Sequence, residues 1–377
     1  MSNYKNIQLI AYGSVTSAPT RVLPTTAAPN SFKEDAQLRA KRTCAVADWV
    51  ASKYASALKD PNTLKVFVLP EFYFRYGGPS EPAEALRDSY PNAETLLPNI
   101  TEEILKPHFK AKTYADWLIV AGSMFWHKSA ADSGTGHPTY FNTALVLRGG
   151  TDTELTPEER SANQEPDEVP TMGAASTNQK AMMSHIDYAF GRLGRDRQAW
   201  DAALNPMFQP VLGDWNWWLW HMFAVHGVND AKGRPLVFGL EVCLEHVQAR
   251  VGVQPDEGVL RALRRGTPSL PDIDVQIVTS CGMSLDPADG VAARVGGQAL
   301  HCDGMEPDAE DALWPTAQHA RVLNIDLNRV HLIGPTDGML DRSDLPPNLQ
   351  IGIPGSQHNP PDAVSIWNPA PLSAGSG

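Results

Sequence analysis

Cysteine is scarce in this chain, and the spacing of the four residues present argues against two common kinds of site. They stand at positions 44, 243, 281 and 302, so no Cys-x-x-Cys pair indicates a metal ribbon or a disulfide framework. The first residues, Met-Ser-Asn-Tyr-Lys, lack the apolar segment of a secretory signal. No apolar run approaches the roughly 18 residues that a membrane-spanning helix needs. We therefore expect a soluble, cytoplasmic protein with reduced thiols.

Basic charge is also in short supply. The chain has 31 Lys and Arg residues against 43 Asp and Glu residues, a formal net charge of -12. Nucleic acids and anionic membrane surfaces select basic patches, so neither is an expected partner. The one basic cluster, residues 261–265, is interpreted as a solvated helix face. His301-Cys302-Asp303 has no complementary second cluster, so we expect no metal site.

The sequence does contain enough apolar residues for one large core. With 377 residues, 42% of them hydrophobic, a single α/β domain with insertions is the expected organisation. Apolar periodicity predicts strands and helices in alternation, which indicates a layered α/β fold. The predicted strands are 6–15, 64–70, 116–126, 140–148, 221–228, 234–242, 274–280 and 321–327, the last of the series; the predicted helices are 33–58 and 97–115.

Cys243 stands where the apolar run from Pro235 to Val242 ends and a polar, helix-compatible segment begins. A thiol at such a strand end is well placed for a nucleophile. A following helix N-terminus lowers the thiol pKa and offers backbone N–H groups to an oxyanion. The alternative is that Cys243 is a small buried hydrophobe, as most free cysteines are. This stretch alone does not separate the two interpretations.

Two further stretches carry polar residues at informative places. Glu71 follows Pro70 at the end of the apolar, β-branched run that begins at Leu64, where a strand should stop. Lys180 lies in a polar lead-in to a short apolar segment. Taken singly, Glu71 is equally a carboxylate that faces water at a strand end, and Lys180 is equally an exposed lysine.

Taken in order, the three stretches resemble the nitrilase superfamily of carbon–nitrogen hydrolases. That family's Glu-Lys-Cys triad is matched by Leu-Pro-Glu71, the segment around Lys180, and Gly-Leu-Glu-Val-Cys243-Leu-Glu. The resemblance implies a four-layer α-β-β-α sandwich over residues 1–334. A flexible acidic insertion at 151–178 would interrupt it, and a Pro/Gly-rich extension at 335–377 would follow. The family commonly forms homodimers or higher homo-oligomers.

The resemblance also implies a mechanism without a metal or organic cofactor. Glu71 would deprotonate the Cys243 thiol, while Lys180 and the Leu244 backbone N–H would stabilise the oxyanion. Many family members keep a second glutamate shortly after the lysine, and this chain offers Asp187 and Tyr188 there. The residues expected near the substrate are Tyr73, Asp187, Leu244, His246 and Cys281.

The implied function is hydrolysis of a small or medium amide to an acid and ammonia or an amine. A nitrilase is the alternative within the same chemistry, because Cys243-Leu-Glu-His246 is similar to the nitrilase branch. From other classes, an amide-forming N-acyltransferase would need a second acceptor site, and a catalytically silent binding protein would not need all three triad residues.

Three segments keep two interpretations each. The stretch 151–178, rich in Glu, Asp, Pro, Thr and Ser, is a surface loop or a lid over the site. Residues 214–220 hold four tryptophans, which indicates a doubly buried strand, a subunit contact or an aromatic substrate cage. The tail from Leu345, rich in Pro, Gly, Ser and Asn, is expected to be an extended arm rather than a folded module.

Overall fold

Two β-sheets and a small number of helices make up the described part of the chain, so the expected α/β class is confirmed. The computed structural model describes residues 2–16, 31–76, 89–129, 131–132, 139–155, 169–180, 221–247, 257–304, 317–326, 329–333, 338–350 and 362–372. None of the described helices combines the length and the apolar character that a membrane crossing requires.

The elements are numbered here in chain order. The strands are β1 Ser2–Tyr4, β2 Asn6–Gly13, β3 Thr63–Val68, β4 Tyr90–Pro91, β5 Trp117–Lys128, β6 Thr139–Arg148, β7 Thr171–Met172, β8 Ala175–Gln179, β9 Met222–Asp230, β10 Pro235–Val242, β11 Val275–Ser280, β12 Gln298–Asp303, β13 Ala317–Asp326, β14 Arg329–Ile333, β15 Met339–Asp344, β16 Ala363–Trp367 and β17 Ala370–Pro371. The helices are α1 Phe32–Lys53, α2 Ala55–Leu58, α3 Ala93–Ile100, α4 Lys106–Phe109 and α5 Val259–Gly266. Single turns are the π-helical Thr101–Leu105 and the 3-10 turns Lys112–Tyr114, Cys243–His246 and Pro347–Leu349.

The first sheet runs β1-β9-β10-β11-β12-β13-β14, with β7 added on β9. The second runs β15-β16-β2-β3-β5-β6-β8, with β17 on β2 and β4 on β5. Strands β10, β11 and β12 are parallel, as are β2, β3 and the start of β5. The Thr279 hydroxyl of β11 donates to the Leu69 carbonyl just after β3, at 2.8 Å. The carboxyl ends of these two strands therefore meet.

Apolar side chains fill the space between the sheets and the outer face of each. Leu9 and Val66 of the second sheet share one buried cluster with Leu240 and Ile277 of the first, so the sheets pack face to face. A second cluster joins α1 and α3 to the other face of the second sheet. A third joins α5 to the other face of the first sheet. Strands that are buried on both faces explain the continuous apolar runs of the sequence.

The hairpin that leads to Cys243 is confirmed. Strands β9 and β10 pair antiparallel, and the turn Asn229-Asp230-Ala-Lys-Gly233 joins them. Asp230 accepts backbone N–H groups from Lys232 and Arg234, and Gly233 takes a positive φ of 86°. Glycine adopts this conformation without the strain that a Cβ would cause. The strand that delivers Cys243 is thus fixed by its own turn.

Two expectations about strands are wrong. The tail is not an extended arm in its described part, since β16 pairs with β2 inside the second sheet and β15 pairs with β16. The strand at 321–327 is consequently not the last.

The end of the 151–178 insertion is also regular, because β8 pairs antiparallel with β6. Pairing with a distant strand outweighs a local composition poor in strand formers. Residues 156–168 of the insertion lie outside the described ranges.

Candidate active site

Glu71 follows β3 on a loop whose backbone is held at several points. Its N–H donates to the Ser280 carbonyl at 3.3 Å, and its carbonyl accepts the Thr16 hydroxyl. The next N–H, of Phe72, donates to the Ser123 hydroxyl at 2.9 Å. Phe72 has φ 58°, a conformation that costs an L-residue about 1–3 kcal/mol. These hydrogen bonds stabilise the strained turn, and the side chain of Glu71 is buried in the protein interior.

Lys180 and Glu71 form a fully buried ion pair. The ammonium lies 2.7 Å from Oε1 of Glu71, and both side chains are 0% exposed. Lys180 follows β8, and its N–H donates to the Asn142 carbonyl of β6 at 2.8 Å. A buried ion pair is a weak source of stability, because desolvation offsets most of the attraction. Such a pair in a protein interior therefore favours a functional interpretation.

Asn142 completes this arrangement from the middle of an apolar strand. Its amide Nδ2 donates to the same Glu71 Oε1 at 2.8 Å, and the side chain is buried. The carboxylate thus receives two hydrogen bonds from groups that β6 and β8 hold in register. The sequence signal for this contact is an amide side chain within the largely apolar run Phe-Asn-Thr-Ala-Leu-Val-Leu.

Cys243 begins a sharp turn directly after β10, as the sequence predicts. Its φ is 53°, so Cys243 and Phe72 are two of the three non-glycine residues with positive φ in the described part of the chain. Strained backbone of this kind concentrates at functional sites. The segment that follows is a single 3-10 turn, Cys243–His246, rather than the start of a described α-helix. The expected helix dipole therefore reduces to the N–H groups of one turn.

Glu71 and Cys243 meet the same short segment at the end of β11. The Glu71 N–H binds the Ser280 carbonyl, and the Cys243 Sγ lies 4.0 Å from the Cys281 carbonyl. The charge of Glu71 also acts on the Cys281 thiol, whose pKa lies well above its ordinary value, mainly because of burial and then because of Glu71 and Asp303. Glu71, through its backbone N–H, and Cys243, through its sulfur, therefore contact neighbouring residues of one segment. Lys180 is linked to this segment through the Glu71 carboxylate.

Asp303 stabilises the short segment after β11 that Glu71 and Cys243 both contact. Its Oδ1 accepts the Gly282 N–H at 2.7 Å and the Ser280 hydroxyl at 3.1 Å. The Ser280 hydroxyl also lies 2.8 Å from Nε2 of His301, a buried histidine whose pKa burial lowers to about 4. The ends of β11 and β12 are therefore joined by side chains as well as by the parallel ladder.

Two carboxylate–histidine pairs border the turn of Cys243. On one side, Glu245 Oε2 accepts the Val242 N–H at 2.8 Å, and Oε1 lies 3.1 Å from Nε2 of His221. On the other, Glu241 Oε2 lies 2.7 Å from Nδ1 of His246. All four of these side chains are buried. Carboxylates inside an otherwise apolar run are a sequence signal that points to such pairs.

His246, which the sequence predicts near the substrate, has its ring inside the protein. The Asp286 N–H donates to its Nε2 at 2.9 Å, so that nitrogen carries no proton and the proton lies on Nδ1, directed at Glu241. Gln276 donates to the same Glu241 oxygen at 2.7 Å. Both ring nitrogens of His246 are thereby engaged inside the protein. Its part is to support the turn.

Tyr73, which the sequence also predicts near the substrate, has its ring in the hydrophobic core. Its ring packs edge-on against Tyr12 and Phe74 in the cluster beneath α1, and its carbonyl accepts Arg39 Nη1 at 2.8 Å. Strand alternation would have put Tyr73 on the same side as Glu71, but the left-handed conformation of Phe72 breaks that alternation.

The other residues expected near the substrate have mixed outcomes. Cys281 does lie at the site, through its carbonyl and its buried side chain. The side chain of Leu244 packs against the cluster that covers α5, although the residue follows the thiol directly. Asp187, Tyr188 and the tryptophan-rich stretch 214–220 lie outside the described residues.

A cavity of about 910 Å³ lies away from the three triad residues, none of which lines it. It lies between α3 and the strands β6 and β8, with Trp126, Leu145, Leu155 and Met172 among its apolar walls. Thr143 and Gln179, direct neighbours of Asn142 and Lys180 along the chain, also line it. The polar convergence around Ser280 is the better candidate for chemistry because its ionisable groups meet there.

No group of three or more His, Cys, Asp or Glu side chains within the described ranges is arranged to hold a metal ion. No family model matches this chain, and no curated protein matches it significantly. The interpretation of the site therefore depends on its own geometry and chemistry.

Proposed function

We propose that this chain is a cofactor-independent hydrolase of the nitrilase superfamily type, which cleaves the C–N bond of an amide through a cysteine thioester. The observation that carries the proposal is the buried Glu71–Lys180 pair, held beside the segment that also contacts Cys243. A carboxylate, an ammonium and a thiol are the three groups that this chemistry requires. We further propose that the two packed sheets with outer helices are the four-layer α-β-β-α sandwich of that family.

In the first half-reaction, Glu71 takes the thiol proton and the Cys243 sulfur adds to the substrate carbonyl carbon. The carbonyl electron pair moves to oxygen, and the resulting oxyanion is stabilised by the Lys180 ammonium and the Leu244 N–H. Collapse of this intermediate breaks the C–N bond, while the protonated Glu71 delivers its proton to the leaving nitrogen. The products are free ammonia or amine and an acyl-thioester on Cys243.

In the second half-reaction, Glu71 deprotonates a water molecule that attacks the thioester. The intermediate expels the Cys243 thiolate, which recovers the proton from Glu71, and the acid leaves. The Lys180 ammonium balances the charge of the buried carboxylate between these steps, at 2.7 Å. Asn142 directs the carboxylate, because its amide holds the same oxygen at 2.8 Å.

The proposal is tested by a screen of amides and nitriles for ammonia release by the full chain, with Cys243→Ala as the control. Amide hydrolysis that disappears in the control supports the proposal. Turnover of nitriles without amides would transfer it to the nitrilase reaction, and activity that survives in Cys243→Ala would refute it. The Cys243-Leu-Glu-His246 motif keeps the nitrilase reaction as the alternative, which the nitriles in the screen test.

A further inference from the structure

We propose that Glu245 is a positioning residue that, together with His221, holds the Cys243 turn in the conformation that presents the thiol. This proposal rests on the proposed function of Cys243 as the nucleophile. Glu245 reaches back over the turn, and its Oε2 accepts the Val242 N–H at 2.8 Å. Its side chain is fully buried, so this contact does not compete with bulk water.

The turn needs such support because of its backbone. Cys243 adopts φ 53°, which an L-residue keeps only where the surroundings enforce it. A hydrogen bond that a carboxylate accepts is stronger than one between neutral groups. Glu245 supplies this bond two residues after the nucleophile, to the N–H that comes one residue before it. The hydrogen bond therefore closes a loop from Val242 to Glu245, and this loop contains the strained backbone of Cys243.

His221 fixes the orientation of the Glu245 carboxylate. An ionised carboxylate only accepts hydrogen bonds, so the 3.1 Å contact requires the proton on Nε2 of His221. The His221 carbonyl accepts the Leu240 N–H at 2.8 Å, which extends the β9–β10 ladder to the residue just before β9. The imidazole is therefore positioned by the same hairpin that delivers Cys243.

The decisive comparison is between Glu245 and a carboxylate that supports the opposite end of the same strands. Asp274 accepts the Val237 N–H at 2.9 Å and pairs with Arg234 and Arg294, and its side chain is 0% exposed. Asp274→Asn is thus matched to Glu245→Gln in chemistry and burial. It differs in lying at the end of β10 away from the thiol.

The test measures kcat, KM, the melting temperature and the rate of Cys243 alkylation by iodoacetamide in Glu245→Ala, Glu245→Gln and Asp274→Asn. For Glu245→Ala we expect kcat to fall on the order of 10²-fold at nearly constant KM, because misplacement of a reacting group by about 1 Å costs that much. Alkylation should slow about fivefold or more as fewer molecules present the thiol. Glu245→Gln should recover part of both rates, since its amide oxygen still accepts the Val242 N–H.

Asp274→Asn should lower the melting temperature and leave kcat and alkylation unchanged. Equal losses of kcat in Glu245→Gln and Asp274→Asn at equal loss of stability would overturn the proposal. If Glu245→Ala does not fold, Glu245→Gln carries the same comparison. The double variant His221→Gln/Glu245→Gln should be no slower than the worse single variant, because both remove one contact. Losses that simply add would contradict the coupling.

Alkylation separates this proposal from the proposed function, because it needs no substrate. Slower alkylation in Glu245→Ala, with no turnover of any amide by the unmodified chain, supports the positioning role and refutes the hydrolase. Alkylation that is unchanged in both Glu245 variants refutes the positioning role, whatever the chain hydrolyses.

Discussion

In the proposed mechanism, Glu71 transfers a proton in both half-reactions. Its carboxylate is hydrogen-bonded to Lys180 and Asn142 and has no direct contact with bulk water. Glu71→Gln preserves the size of the side chain but removes its basicity. We expect turnover to fall by about 10²–10⁴-fold, the usual cost of lost general acid–base catalysis. Steady-state kinetics on protein shown to be folded by circular dichroism is the measurement. Near-normal turnover would assign the base to another residue.

Lys180 and Lys232 provide a matched pair for the oxyanion role. Lys180 is buried against Glu71, whereas Lys232 is exposed in the β9–β10 turn. Lys180→Met should abolish turnover because the proposed mechanism stabilises the oxyanion with this ammonium. Lys232→Met should keep turnover within the range of the unmodified chain. Kinetics of both variants at the same substrate concentrations distinguish the two lysines. Loss of activity in Lys232→Met would show that Lys180 is wrongly assigned as the residue that stabilises the oxyanion.

Cys243 should be the thiol that is acylated and alkylated first. Burial raises the pKa of Cys44 to about 12 and puts the pKa of Cys281 and Cys302 well above the ordinary value. Reactivity follows the thiolate fraction, so these three thiols react slowly near neutral pH. Mass spectrometry of an acid-quenched turnover reaction should show an acyl increment on the Cys243 peptide. An increment on the Cys281 peptide would contradict the assignment.

At the scale of single elements, the chain shows why some site residues were predictable and others were not. Glu71 and Cys243 each follow an apolar run that predicts a strand, whereas Lys180 follows the polar strand β8, which no apolar run marks. Tyr73 and His246 depend on turns at Phe72 and Cys243, whose positive φ no apolar pattern reveals. Local periodicity thus locates a site residue along the chain, while turn geometry decides which way its neighbours face.

His319, which lies on β13 beside β12, makes the free energy of unfolding depend on pH. Burial lowers the pKa of His319 to about 4, and its Nε2–H donates to Gln298 Oε1 at 3.0 Å. Below pH 6.5 the unfolded chain binds a proton here that the folded chain refuses until about pH 4. The free energy of unfolding therefore falls as pH drops through this window, by about 3 kcal/mol in total from this group.

His319→Gln should remove that part of the slope. Denaturant unfolding of the variant and the unmodified chain between pH 7 and pH 4.5 measures the difference. The exposed His226, changed to Gln, is the control and should leave the slope unchanged. Identical pH dependence in His319→Gln and the unmodified chain would show that His319 is not held neutral by burial.

At the scale of the whole molecule, the contact that the sequence concealed most completely is the one between the two ends of the chain. Strand β16 pairs with β2, so Ile366 lies opposite Ile10 across more than 350 residues. The Gln8 amide donates to the Trp367 carbonyl at 2.7 Å, and Arg42 of α1 pairs with Asp362 at 2.6 Å. Composition favours an arm here because Pro, Gly, Ser and Asn surround a strand of only five residues. Non-local pairing is invisible to local patterns.

The tail is therefore expected to contribute to stability as a core strand does. Ile366 is fully buried in the cluster beneath α1, whereas Leu340 on the neighbouring strand β15 is 45% exposed. Ile366→Ala should lower the free energy of unfolding by about 2–5 kcal/mol, the range for large-to-small changes in a core. Leu340→Ala should change it by about 0.5 kcal/mol or less, as surface substitutions do. Urea unfolding of both variants measures the two effects. Equal, small changes in the free energy of unfolding would show that the tail is an arm that does not stabilise the core.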